Sequence, residues 1–309
     1  MALKAAKLTL GPVLFNWPPE KWRDFYFKIA DETPVDIVYV GEVVCSKRSP
    51  FFDPVLPEVM ERLKKAKKEI VISSLALVMN KREAKAMREL VADKTLLIEA
   101  NDVSALPPLG GRSHVIGPYI SVYNEETLQY LARRGAQRIC LSPELPFAAA
   151  EILAAKGREH KTAIEIQVFG RMPLALSARC YHARAHQLTK DNCLFVCGKD
   201  QDGALLHTLD NQPFLAINGI QTLSDSYLNL LEELEVMKNA GIRHFRLSPH
   251  DCDMVKVISL YRKTLEQKMT PAESSQELHR MLPRTAFSNG YFHGRAGHQF
   301  KQEKIHECR

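Results

Sequence analysis

No apolar run in this 309-residue chain is long enough to cross a bilayer, so no membrane-spanning helix is expected. The opening MALKAAKLTLGPVLFNW has neither a continuous apolar core nor a small-residue cleavage site, so no secretory signal peptide is expected either. No G-x-G-x-x-G and no Walker A sequence occurs, which speaks against dinucleotide and P-loop sites. H-E-x-x-H and the G-x-S-x-G elbow are missing too. Excess charge of one sign is scarce: 42 Lys and Arg stand against 36 Asp and Glu, a formal +6. The basic runs KRSP, RLKKAKK and KREAKAMR read as solvated helix faces and loops. With no nucleic-acid reading motif, no nucleic-acid partner is expected. The mild basicity suits an anionic substrate or surface. The expected compartment is the cytoplasm, where seven cysteines read as thiols or metal ligands rather than disulfides.

What is present is ordinary in bulk and ordered in pattern. Apolar residues make up 45% and charged residues 25%, enough for a sizeable packed core. Apolar β-type runs alternate with amphipathic helical stretches. Strands are expected over 7–15, 35–42, 69–78, 95–100, 114–120, 138–144, 163–170 and 244–250. Helices separate most of them, including NEETLQYLARRGA with Asn124 as its N-cap. VDIVYVGE is almost wholly apolar, as a strand buried on both faces of a parallel sheet must be. The rhythm breaks for some fifty residues after the seventh strand, where ALLHTLDNQPFLAIN reads as a hairpin, and resumes with a helix over SDSYLNLLEELEVMKNAG. LSPE and LSPH read as turns out of strands. The expected fold is α/β: a single (β/α)8, TIM-barrel-like domain over 1–283, with an irregular cysteine-bearing insert over 171–203. A Gly- and aromatic-rich tail, 284–309, is expected on or near the barrel mouth.

Three cysteines fall in the insert with spacing C-x12-C-x3-C: Cys180, Cys193 and Cys197. A fourth, Cys45, lies just past VDIVYVGE at the end of a strand. Strand ends of one sheet converge on one face, so the four thiols can meet. Four thiolates suit either Zn2+ or a [4Fe–4S] cluster. Only one short pair occurs, Cys193 and Cys197, whereas structural zinc usually shows paired knuckles; the dispersion favours a cluster. Ordinary buried cysteines are the plain alternative. Cys140 reads as core, Cys252 as a helix-start residue and Cys308 as exposed near the terminus. His182 and His186 have the i, i+4 spacing of a zinc pair, but hydrogen bonding around the site is the simpler role. Arg48, Arg171 and Arg179 flank the cysteines and could clamp a carboxylate; surface charge or local ion pairing is the alternative. Glu42 and Glu165 could act as acid or base, or pair with arginine.

The stretch EIQVFGRMPLALSARCYHARAHQLTKDNCLFVCGKD, with YVGEVVCSKR and SNGYFHG, resembles the collagenase-like peptidase family, YhbU/YhbV group. The resemblance runs over essentially the whole chain. It implies a [4Fe–4S] cluster on Cys45, Cys180, Cys193 and Cys197. It implies a part in O2-independent hydroxylation of the ubiquinone precursor ring, in anaerobic ubiquinone biosynthesis, as a heterodimer with a second cluster protein, UbiU. A UbiT-like lipid-binding protein would serve the same pathway, and prephenate would be the oxygen donor. The family's name carries the alternative: a zinc- or thiol-dependent collagenase-like peptidase. Thiolates committed to a cluster cannot also be nucleophiles.

Overall fold

A computed structural model describes residues 5–301; Cys308 and the end of the tail lie outside the described residues. Among the described residues twelve strands form one sheet: β1 Lys7–Leu10, β2 Ile37–Val40, β3 Glu69–Ser73, β4 Ile98–Ala100, β5 His114–Ile116, β6 Ala136–Cys140, β7 Ala163–Leu176, β8 Ala204–His207, β9 Pro213–Asn218, β10 Gln221–Asn229, β11 His244–Leu247 and β12 Phe287–Ser288. Strands β1 to β7 pair in parallel, each with the next. Strand β11 then pairs with both β1 (Lys7↔His244) and β7 (His244↔Glu165), which closes an eight-stranded parallel barrel. This is the TIM-barrel-like architecture expected from the sequence rhythm.

The chemistry of the segments explains the elements. Ile37–Val40 is buried on both faces, between the outer helices and the barrel interior. Helix Glu125–Ala132 starts where the Asn124 side chain accepts from the Thr127 amide at 2.8 Å, the cap read from the sequence. Helix Pro271–Met281 opens with a full capping box, Thr270 with Glu273. Among the described residues no helix is long and apolar enough to cross a membrane.

The barrel interior is charged as well as apolar. Glu165, fully buried, accepts from the Tyr39 hydroxyl at 2.6 Å, from Arg246 Nε at 3.2 Å and from the Thr9 hydroxyl. Arg138 Nε stands 3.4 Å from it, and Arg246 also binds Glu99 at 2.6 Å. Burial pushes the Glu165 carboxyl up, but Arg246 and Arg138 outweigh it and hold it down at about 2. Glu165 is thus an ion-pair hub of the core.

Most expected strands are shorter in the structure, as 7–15 is only Lys7–Leu10 and 69–78 only Glu69–Ser73, and two differences change an element's extent or type. Strand β7 runs on through Leu176, so residues 171–176 of the expected insert belong to a strand. The helix expected over SDSYLNLLEELEVMKNAG is strand β10 in its first half, and only Leu234–Asn239 is helical. The reason is tertiary: beyond the rim, β7 offers β10 an antiparallel partner (Leu228↔Gly170, Tyr227↔Arg171), and β12 pairs its other edge. Hairpin β8–β9 forms as read, with β9 paired on to β10. The tail pairs through β12, and Phe292 stacks on Phe147 at 5.0 Å, just past the C-terminal end of β6.

Candidate metal centre

The loop after β2 is shaped by a glycine and a carboxylate. Gly41 has φ 118°, and a Cβ there would lie 2.7 Å from the Ser73 carbonyl oxygen, so the turn needs glycine. Glu42 then accepts from the amides of Val44 at 2.7 Å and Cys45 at 2.8 Å, which folds the chain back and presents the Cys45 thiol at the barrel mouth. Burial raises the Glu42 carboxyl.

Arg48 ties this loop to its surroundings. Its side chain is 1% exposed. Nη1 donates to the Leu14 carbonyl at 2.8 Å, Nη2 to Asn218 Oδ1 at 3.0 Å, and Glu42 stands 4.0 Å away. One guanidinium therefore binds the loop after β1, the loop after β2 and the hairpin. Lys47 reaches over to the carbonyls of Lys190 at 2.6 Å and Asp191 at 3.0 Å and fastens the insert to the Cys45 loop.

In the insert, the Cys180 sulfur accepts from the Ala183 amide at 3.4 Å and caps the short helix Tyr181–Ala185. Cys193 and Cys197 flank a tight turn whose residues Leu194 and Phe195 have φ 47° and 52°. Left-handed backbone at a residue with a Cβ costs on the order of 1–2 kcal/mol each. The turn is therefore held by its context, not by local preference.

All four expected cysteines line one small pocket, together with Arg48 and His182. Burial raises the Cys45 thiol, and Arg48 opposes that. Burial also raises the Cys180 thiol; the Ala183 amide lowers it, and Cys197 and Cys193 add to the rise. The three insert thiols are thus electrostatic neighbours. Among the described residues no group of three or more His, Cys, Asp or Glu is arranged to hold a single metal ion. Two buried nitrogens of the pocket wall, Arg48 Nε and His182 Nδ1, have no hydrogen-bond partner within the protein. Unpaired buried polar atoms are costly and call for an explanation. Four soft donors around one pocket, with the Arg48 Nε donor left over in its wall, fit a sulfur-ligated cluster, whose sulfides accept hydrogen bonds; His182 Nε2 gives its proton to Asp200, so its Nδ1 can only accept.

The other expected site residues lie elsewhere. Arg171 is committed: it meets Asp202 Oδ2 at 3.2 Å, donates to the Ser224 carbonyl at 3.0 Å and to that of Asp225, and sits over the Tyr227 ring. Arg179 is exposed. The three arginines are thus not gathered around one ligand position. His182 Nε2 pairs with Asp200 at 2.8 Å, and His186 is exposed with its ring stacked on His182. Cys140 is buried in the barrel, where burial raises its thiol strongly. Burial pushes the Cys252 thiol up to about 12.

Two residues had no functional reading in the sequence. Asp202 Oδ1 meets His250 Nδ1 at 2.6 Å, and Asp202 Oδ2 accepts from the Tyr227 hydroxyl at 2.6 Å. His250 Nε2 accepts from the Arg171 amide at 2.9 Å, and a Cβ at Gly170 would lie 2.6 Å from that nitrogen. Burial works against the Asp202 carboxylate, but His250 and then Arg171 hold it well below the usual range. This latch joins the end of the insert to the loop after β11. The LSPH tetrapeptide was its only sequence signal, and Asp202, in an irregular segment, had none.

A family model described as peptidase family U32 matches residues 20–302. The chain belongs to that family. Among solved structures, a mandelate racemase/muconate lactonizing protein from Paracoccus denitrificans Pd1222 is 9% identical, covering 54% of this chain and 48% of its own, with TM-score 0.38. The spore cortex-lytic enzyme SleL of Bacillus megaterium QM B1551 is 11% identical, covering 84% and 75%, with TM-score 0.32. The chain therefore spans about half the length of the racemase-like protein. Both likenesses are loose, and the barrel rests on its own strand pairing.

Proposed function

We propose that this member of peptidase family U32 is an iron–sulfur subunit, of the UbiV type, required for O2-independent hydroxylation of the ubiquinone precursor ring. The observation that carries the reading is the convergence of Cys45, Cys180, Cys193 and Cys197 on one pocket. On this reading the four thiolates hold a [4Fe–4S] cluster, which supplies one-electron chemistry when bound. On this reading Arg48 Nε would be the buried donor left for a cluster sulfide, and Lys47 holds the ligand loops together. The subunit works in the cytoplasm with UbiU as its heterodimeric partner. A UbiT-like protein handles the lipid, and prephenate is the oxygen donor. The exposed Arg179 is the arginine left free to meet such an anion.

The peptidase alternative needs a thiol paired with a base or a zinc ion. Among the described residues no thiol is hydrogen-bonded to a histidine: Cys180 accepts from an amide, Cys252 faces Met254, and Cys140 faces a carbonyl. Both His250 nitrogens are engaged with Asp202 and Arg171.

The test is iron and acid-labile sulfide per chain, with a visible spectrum, on protein purified without oxygen. About four of each per chain, with broad sulfide-to-iron absorption, is the expected result. Cys193→Ala should lose the cluster, and anaerobic cells carrying it should lose ubiquinone. Zinc or no metal in the parent, or a full cluster in Cys193→Ala, would overturn the assignment.

A further inference from the structure

The turn between Cys193 and Cys197 does something that folding of this chain alone does not require. It holds Leu194 and Phe195 in left-handed backbone and turns them outward, 70% and 37% exposed. Phe195 meets Phe51, itself 42% exposed, edge-on at 4.8 Å. Met79, also exposed, touches the Lys190 side chain at 3.5 Å. The result is an exposed apolar knuckle beside the cysteine pocket, of whose wall Phe195 forms part. Clustered exposed apolar side chains mark interaction sites.

Charge points to the occupant. Arg179, Arg184 and Lys199 are exposed on the insert, and among the described residues none of the three is paired with a carboxylate; Lys47 and Lys190 between them hold backbone carbonyls. The insert between Cys180 and Asp200 carries two carboxylates of its own, Asp191 and Asp200, and the second is committed to His182. An apolar centre with a cationic rim is the complement of a protein face with an apolar centre and a carboxylate rim.

We propose that the Phe51–Leu194–Phe195 knuckle and the exposed cations of the insert form the docking face for an acidic protein subunit that covers the cysteine pocket. The proposal deepens the function above and rests on it for one point, that UbiU is this subunit. Covering would exclude solvent from the four thiols and place the partner's surface within reach of whatever they hold.

The experiment uses the full chain co-expressed with UbiU without oxygen, with pairing read by size-exclusion chromatography with light scattering and iron counted per chain. Leu194→Glu puts a carboxylate at the apolar centre. The double variant Arg184→Glu/Lys199→Glu reverses part of the rim. Leu194→Glu should weaken pairing by at least about tenfold. The rim variant should weaken it less, chiefly at low salt. Iron per chain should match the parent in both. If both variants pair like the parent, or the parent does not pair, the docking face is refuted. If the variants pair normally but lose binding to phosphatidylglycerol vesicles shown by the parent, the face is a lipid surface and the proposal falls. If the parent lacks iron but pairs, and the variants do not, the docking face stands and the cluster reading falls.

Discussion

The barrel interior and the cysteine pocket are both polar regions inside one fold, and they are finished to different degrees. In the interior, Glu165 meets four partners, Thr9, Tyr39, Arg138 and Arg246, and both arginines find a second carboxylate, Glu69 or Glu99. In the pocket, Arg48 Nε and His182 Nδ1 are buried without partners, two thiols are raised by burial, and the turn above is held in left-handed backbone. The first region pairs its charges within the chain, although Asn101 Oδ1 beside Glu99 and His244 Nδ1 on β11 are also buried without partners. The second has the pattern of a site shaped around something the chain alone does not supply, because strain and unsatisfied polar atoms persist where function selects for them.

The sharpest way to break this comparison is to damage each region and see which property fails. Glu165→Ala leaves Arg138 and Arg246 buried beside a cavity, which should cost about 3–5 kcal/mol of stability, read as the urea midpoint, with or without metal. Cys193→Ala should remove bound iron yet shift the metal-free protein by less than about 1 kcal/mol, since that side chain is half-buried. Equal stability losses would erase the distinction. The Glu165 contribution also has a definite pH sign. Its folded value, about 2, lies below the unfolded value of about 4.3. Its contribution is therefore fully present above about pH 5 and lost as pH falls toward 2.

Asp202 belongs to the seam between the regions, so its removal tests how far they are coupled. Asp202→Asn keeps the shape but weakens charge-assisted hydrogen bonds with His250 and Arg171, and should cost about 2 kcal/mol. Its folded value is also depressed. Stability from this latch is present above the unfolded aspartate value and lost as pH falls, so the variant should show a flatter acid limb than the parent. If the insert is anchored mainly here, amide exchange should quicken across 177–203 and stay unchanged in β1 to β6. A uniform change would mean the insert and barrel unfold as one unit.

How much of this was legible in the sequence follows from the same division. The barrel strands announced themselves because a parallel strand buried on both faces must be apolar, as IVYV is. The cysteine set was legible from spacing and from strand ends meeting on one face, and the pocket gathers all four. Strand β10 was misread because Ser224–Asn229 is followed by a helix, and only its long-range pairing with β7 sets its state. Arg171, on β7, and Asp202, at the end of the insert, found each other across 31 residues, which no local pattern records. The positive φ at Leu194 and Phe195 was invisible for the opposite reason: the residue types argue against it.

That last feature gives the smallest and most specific prediction. Leu194 is largely exposed, so its side chain adds little to the core, while its φ of 47° is a conformation glycine adopts freely. Leu194→Gly should therefore leave the folded chain as stable as the parent or more so, by up to about 1 kcal/mol. The gain is less than the full strain because glycine also loosens the unfolded chain. Cluster content should be kept, since the turn between Cys193 and Cys197 becomes easier to form. If the knuckle is a docking face, the same change should weaken pairing by removing the apolar centre, so stability and binding move in opposite directions. A Leu194→Gly protein that loses stability would show that the turn is packed rather than strained. It would then belong with the finished interior and not with the pocket.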